Sequence, residues 1–244
     1  MKQMLSDGIK ELGLTASDGQ LDMLITYARM LQERNEQVNL TAITDDEGIV
    51  TKHFLDSMTP LCTGKVGRRV IDVGCGAGFP GLVLKIMRPD IELVLLDSLA
   101  KRLTFLDEVC ERLALSGVHT VHARAEDAAR RMREGFDTAV SRAVANMTVL
   151  SELCLPFVRV GGDFLALKGP LADEELSAAK RAIDILGGRV GDIFTAKIPF
   201  TDLAHRIICV KKVRQTPMQY PRKAGIASKS PIGGCYNLKK GAKK

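Results

Sequence analysis

The 244-residue chain has no uninterrupted apolar run of 18 residues, so no membrane-spanning helix is predicted. It has no C-x-x-C pair. Its six cysteines, Cys62, Cys75, Cys110, Cys154, Cys209 and Cys235, follow no regular spacing, which argues against a disulfide framework or a zinc site and for free thiols in a reducing cytoplasm. The four histidines make no ligand pattern: His119 and His122 stand three apart in a strand-like segment, on opposite faces, so no metal is expected. The first residues, MKQMLSDGIKELG, carry acids and no apolar stretch, unlike a secretory signal. No internal repeat is present. Acidic residues are missing from 214–244, where eight Lys or Arg occur; removing these leaves 27 basic against 29 acidic residues, a net of −2, in a chain of net +6. The basicity therefore belongs to the tail, RQTPMQYPRKAGIASKSPIGGCYNLKKGAKK. It reads either as a solvated end or as an arm lying along phosphates. On the second reading, its deletion is expected to weaken binding to a polyanion.

What the chain does contain is organised in three parts. Residues 1–66 read as a small helical subdomain. An amphipathic helix over 17–34 carries Leu21, Leu24, Ile25, Ala28 and Leu31 on one stripe and a Ser17/Gln20 capping box, and a second box, Thr44/Glu47, opens a helix through GIVTKHFLDSM. The Asn-rich NEQVNLTAIT joins them, with Asn39 expected to tie the connector. Residues 67–213 alternate short apolar strands (RVIDVG, IELVLLD, HTVHARA, FDTAVSR, DFLALKG, RIICVKK) with helices (PGLVLKIM, AKRLTFLDEVCERLAL, MTVLSELCLPFV, LADEELSAAKRAIDIL). Such alternation predicts an α/β fold with a mainly parallel, doubly wound, Rossmann-like sheet. The last two strands, near 190–198 and 205–212, are joined by too short a turn to be parallel, so an antiparallel strand near the C-terminus is expected. Residues 214–244 form the basic tail.

The stretch VIDVGCGAGFPG places four glycines within eight residues after a strand ending at Asp72. Gly74, Gly76 and Gly78 admit close backbone approach, and Asp97 ends the next strand 19 residues after Gly78, where a carboxylate can accept hydrogen bonds from a ribose. A nucleoside-bearing cofactor follows. Residues 76–81, GAGFPG, match a dinucleotide fingerprint, but the match starts two residues late, and Asp72 would repel a pyrophosphate. The ammonium and sulfonium of S-adenosylmethionine would instead be attracted. A nicotinamide-dependent oxidoreductase remains the alternative, although none of the three tyrosines stands in a loop suited to proton relay. A non-enzymatic RNA-binding module leaves the acid-and-glycine pocket without a purpose.

DVGCGAGFPG, LLDSLAKRLTFL, ARAED, FDTAVSRAVA, LALKG, NLTAIT, HFLDSM and the tail phrase YPRKAG…SKSPIGG together resemble the RsmG (glucose-inhibited division protein B) family over essentially the whole chain. The resemblance implies a class I S-adenosylmethionine-dependent methyltransferase acting on N7 of guanine 527 in the 530 loop of bacterial 16S rRNA. It implies cofactor contacts from Gly74 and Phe79 in the glycine loop, Asp97 at the ribose, Ala125 and Glu126 beside the adenine, and Arg142 closing the pocket; Asp72, Gly76, Gly78 and Ser98 complete the expected site. The chain departs from many relatives at Arg34, where an aromatic is common, and at Cys75, where Ser or Thr is common. SRAVAN stands where amine methyltransferases often carry an Asn/Asp-Pro-Pro-aromatic motif. Guanine N7 has a lone pair and no proton, so alignment without a general base suffices. Arg142 and Lys168 are the positioning candidates, with Arg124 weaker and His53 expected to orient the helical subdomain. A cytoplasmic monomer working on 16S rRNA or the small ribosomal subunit, without metal or membrane, is the expectation.

Overall fold

In the computed structural model, residues 1–142, 144–169 and 171–233 are described. Seven strands form one sheet: β1 (Arg69–Val73), β2 (Glu92–Asp97), β3 (Val118–His122), β4 (Phe136–Arg142), β5 (Val158–Lys168), β6 (Gly188–Lys197) and β7 (Ala204–Lys212). Their order is β3-β2-β1-β4-β5-β7-β6, and only β7 runs against the rest, pairing antiparallel with both β5 and β6. The expected parallel sheet with an antiparallel strand near the C-terminus is thus present. The order reverses at β1, so the carboxyl ends of β1 and β4 border the crevice where ligands of such sheets bind.

The strands bury both faces, which is why they read as apolar runs. Alternate residues feed opposite cores. Val70, Leu93, Leu95, Val140 and Leu165 point to one core, shared with α5 (Gly81–Met87) and α6 (Ala100–Arg112). Ile71, Val73, Leu96, Ala139 and Phe164 point to the other, covered by α7 (Ala125–Arg131), α8 (Met147–Cys154) and α9 (Ala172–Ile185). The N-terminal helices share the first core: Leu5 and Ile9 of α1 (Lys2–Glu11), and Leu21, Leu24, Tyr27 and Leu31 of α2 (Asp18–Asn35), pack into it.

Local signals account for much of this. The Ser17/Gln20 capping box is formed, and the Gln20 side chain also donates to the carbonyls of Ile86 and Met87, docking α2 on α5. The next helical run has three pieces: α3 (Asp46–Gly48), a π-helix over Ile49–Leu55 and α4 (Asp56–Met58). Its cap is Asp45, accepting from the Gly48 N–H, and not the expected Thr44. A carboxylate one residue later outcompetes the hydroxyl for the free N–H groups of the first turn. Likewise Asn35, not Asn39, ties the connector: its Oδ1 accepts from Leu40 and Thr41, and its Nδ2 donates to the Thr41 carbonyl. Arg34 pairs with Glu108 of α6.

The sequence reading assigns no helix to α1, α7 or the short α10 (Ile226–Lys229). It also extends the helix before β5 through Val158, which is the first residue of that strand. Nor do residues 214–233 trail off into solvent. Thr216 and Pro221 are buried, Arg133 donates to the carbonyls of Thr216, Pro217 and Tyr220, and Arg222 is fixed on Glu152 of α8. Of the eight basic tail residues, Lys239, Lys240, Lys243 and Lys244 lie outside the described residues.

Candidate active site

A cavity of about 540 Å³ opens at the carboxyl ends of β1, β2 and β4. That size lies within the range of small-molecule sites, about 300–1,000 Å³. Its floor is the turn after β1. Gly74 and Gly76 have φ of +74° and +57°, and the position a Cβ would take on Gly76 is open space. At Gly74 a Cβ would meet the Val144 side chain at 2.6 Å, so glycine lets the two loops close on each other. Gly78 serves packing instead. A Cβ there would sit 2.5 Å from the Tyr27 hydroxyl, which donates to the Ala77 carbonyl. Tyr27 is fully buried and stacks on Phe79 at 5.4 Å, holding the turn from the helical side.

Asp72 stands behind the turn and does not line the cavity. Its Oδ2 accepts from the Gly81 N–H at 2.8 Å, and its Oδ1 is buried without a partner. Burial pushes this carboxyl up to about 7, against the Gly81 hydrogen bond. The consequence for ligand class is direct. The N-terminus of α5, where a dinucleotide fold would receive a pyrophosphate, is already occupied by a carboxylate. Asp97 does reach the cavity. Its Oδ2 accepts from Gly76 N at 3.0 Å and faces Arg102 at 3.3 Å, while Oδ1 accepts from Leu99 N at 2.9 Å. Oδ1 retains an acceptor position for a ligand hydroxyl. Ser98 and Ala125 line the same side.

Glu126 also lines the cavity, but its Oε1 accepts from the Gly225 N–H at 3.0 Å. This bond draws the C-terminal segment over the site, where Gly225 and Ser228 form part of the wall. No local pattern in the sequence announces this contact.

The opposite wall is built around Phe79. The His53 ring stacks on it at 4.5 Å and 13°, and the Arg142 guanidinium lies 5.2 Å from its centroid. Arg142 Nη1 donates to Asp56 Oδ2 at 2.7 Å and to the Lys52 carbonyl at 3.0 Å. The other Asp56 oxygen meets His205 Nδ1 of β7 at 2.6 Å. Burial pushes the Asp56 carboxyl up, but the hydrogen bond from His205 and the charge of Arg142 outweigh it and hold it below its ordinary value. His53 is driven the other way. Burial, then the Arg142 charge, lower it to about 4, and its Nε2 meets the Thr41 hydroxyl at 2.8 Å. His53 thus stands between the helical run and the glycine loop. Cys75 lines the floor, its thiol raised well above the ordinary range by burial and by Asp72 and Asp97, so it is no nucleophile.

Of the expected site residues, Gly74, Gly76, Phe79, Asp97, Ser98, Ala125, Glu126 and Arg142 converge on the cavity, as does Arg124. Asp72, Gly78 and Lys168 do not. Lys168 Nζ is taken by the Ala145 carbonyl at 2.8 Å and by Glu175 at 2.7 Å, and Glu175 also accepts from Met147 N. It braces the loop after β4 from behind. Among the described residues no group of three or more His, Cys, Asp or Glu could hold a metal ion, and no helix is long and apolar enough to cross a membrane.

The family model described as rRNA small subunit methyltransferase G matches residues 20–202. A ribosomal RNA small subunit methyltransferase G from Clostridium beijerinckii is 50% identical over 233 residues, covering 94% of this chain and 98% of that one. Its counterpart from Alkaliphilus oremlandii is 49% identical over 236 residues, covering 95% and 99%. Among solved structures, M. jannaschii TYW2 in complex with AdoMet aligns with a TM-score of 0.54 at 12% identity, over 70% of this chain and 80% of that one. TrmN from Thermus thermophilus aligns with a TM-score of 0.51 at 18% identity, over 67% and 53%. At such identities the structural likeness speaks for the fold alone.

Proposed function

The chain belongs to the rRNA small subunit methyltransferase G family, and from that premise we propose that it transfers a methyl group from S-adenosylmethionine to N7 of guanine 527 in the 530 loop of 16S rRNA. The observation that carries the cofactor class is the α5 N-terminus filled by Asp72, which leaves no anion site for a pyrophosphate and puts an acid behind the glycine turn. The open position at Gly76 and the free acceptor on Asp97 fit a nucleoside. Bound there, S-adenosylmethionine supplies an electrophilic methyl group on a sulfonium.

The chain's own residues hold and orient. Asp97 and Ser98 take the ribose, Ala125 and Glu126 flank the adenine, and the backbone of Gly74 and Gly76 lies against the cofactor. Arg142, fixed by Asp56, presents its remaining N–H groups to the cofactor carboxylate or an RNA phosphate. Lys168 acts at one remove, by bracing the loop that faces the target base. Asp97→Ala is expected to weaken S-adenosylmethionine binding by about 1–3 kcal/mol in calorimetry, through loss of the ribose acceptor and release of the Gly76 and Leu99 N–H groups. Unchanged affinity would remove Asp97 from the site.

Among the described residues, no side chain in the wall other than Asp97, the ribose acceptor, is free to act as a base. Glu126 is engaged by Gly225, and His53 is a weak base near 4 beside a guanidinium. That supports a target atom without a proton. Single-turnover methyl transfer at saturating RNA and cofactor should be nearly independent of pH between about 6 and 8.5. A rate rising tenfold per pH unit, with binding and folding constant, points to an amine or ring N–H target instead, which mapping the modified nucleotide identifies.

A further inference from the structure

Beside the cavity, on the other side of the C-terminal segment, lies a second groove of about 690 Å³ between α7 and residues 218–226. We propose that this groove binds the sugar–phosphate backbone of a single-stranded stretch of the RNA substrate, as a docking site separate from the methyl-transfer site. The proposal rests on the function proposed above and adds to it where the RNA is held.

Among the described residues, four cationic side chains line the groove, Arg130, Arg133, Arg222 and Lys223, and no carboxylate does. Their charges are not equivalent. Arg222 is answered by Glu152, so it contributes little net field. Arg133 is different: its guanidinium donates only to main-chain carbonyls, those of Tyr220 at 2.7 Å, Pro217 at 3.1 Å and Thr216. Its hydrogen bonds fix it in place while its charge stays uncompensated. Arg130 and Lys223 are exposed and make no ion pair among the described residues. Three unanswered charges around one concavity attract a polyanion and release its counterions.

The groove also offers apolar surface. Met218 is 84% exposed at its rim, and the half-buried Tyr220 ring lies 5.9 Å from the Arg222 guanidinium. Cations interleaved with an aromatic and a thioether suit unpaired nucleotides, whose bases can stack while the backbone follows the charges. A duplex would present only phosphates and leave this surface uncovered. Position links the groove to the chemistry: Glu126 of α7 points into the cofactor cavity and holds Gly225, and Arg130, one turn further along the same face, lines the groove. RNA seated there would run across the segment that walls the cofactor.

The test uses the full chain with Arg130→Ala and Lys223→Ala combined, since both side chains are exposed and hold nothing else. An RNA fragment carrying the 530 loop is the probe, titrated across a series of KCl concentrations. The expected result is at least a tenfold weaker Kd. The slope of log K against log salt should flatten by about 1.4, for two single-strand phosphate contacts at about 0.7 each. The melting temperature and the calorimetric affinity for S-adenosylmethionine should not change, and methylation should show a raised KM for RNA with kcat retained. An unchanged Kd and slope overturn the groove while leaving methylation by the wild-type chain intact. If naked-RNA binding is unchanged but binding to assembled small subunits falls, the groove's partner is a protein and the proposal is overturned. A wild-type chain that methylates no rRNA overturns the proposed function and this inference together.

Discussion

Asp56→Ala should be among the most destabilising single substitutions in the molecule, costing about 3–5 kcal/mol in urea unfolding. Asp56 is 1% exposed and joins three elements: its own helical run, Arg142 at the end of β4 and His205 in β7. Removing it leaves the Arg142 guanidinium, 15% exposed, without a counter-charge beside His53, which burial first and that charge second hold neutral. Breaking a buried pair costs more than the pair contributes, because the surviving charge stays desolvated. Asp56→Asn should cost less, since an amide can still accept from Arg142. The His205 half of the contact has a pH signature. The Asp56 hydrogen bond raises His205 above 6.5, so its contribution is fully present below 6.5 and is lost as pH rises through the folded value. Asp56→Ala should therefore narrow its stability gap from wild type on passing to alkaline pH. A loss below about 1 kcal/mol at pH 6 would show that the three elements are held by apolar packing, and a gap independent of pH would show that the His205 contact contributes nothing.

Asp56 also marks the limit of what the sequence reveals. HFLDSM reads as helix, and FDTAVSR coincides with β4 residue for residue. Nothing local pairs Asp56 with partners 86 and 149 positions away. The glycine turn and Asp97 are legible because their chemistry is local: one turn, one strand end, one fixed spacing. Gly78 looks the same as Gly74 and Gly76 in sequence. Its role toward Tyr27 depends on a helix some 50 residues upstream, which the local pattern does not show. Asp72 ends a strand, which points to the ligand, yet its carboxylate turns to cap α5, the nearer set of free N–H groups. Lys168 does end β5 at the carboxyl edge, but Glu175 on the following helix captures its ammonium. A short polar pattern shows where a side chain starts; which of two nearby partners it meets is decided by the packing of elements distant in sequence.

The same logic bears on the C-terminal segment, where Arg222→Ala should open the cofactor cavity from one side. Glu152 sits on α8 among Val149, Leu150 and Leu153, a lone acid in an apolar helix and 1% exposed. It is satisfied by the tail: Oε1 accepts from Arg222 N at 2.9 Å and Nε at 2.8 Å, and Oε2 accepts from Nη2 at 2.5 Å. Arg222 is also bound to the Ser230 carbonyl, closing the loop that carries Gly225 and Ser228 to the cavity wall. The two ends of this pair are not equivalent. Glu152→Gln keeps an acceptor, and the partly exposed Arg222 can turn to water, so about 1–2 kcal/mol is expected. Arg222→Ala leaves a buried carboxylate with neither charge nor side-chain donors, and about 3–5 kcal/mol is expected. The chain can relieve that cost by releasing residues 222–230, which lets water reach Glu152 and removes Gly225 from Glu126. S-adenosylmethionine affinity should then fall at least tenfold, about 1.4 kcal/mol, although Arg222 does not line the cavity. Protease cleavage within 222–230 should accelerate in parallel. Equal losses for the two variants, or an Arg222→Ala protein that binds cofactor as wild type does while this segment is cleaved rapidly, would show that the segment rests against the site without forming its wall.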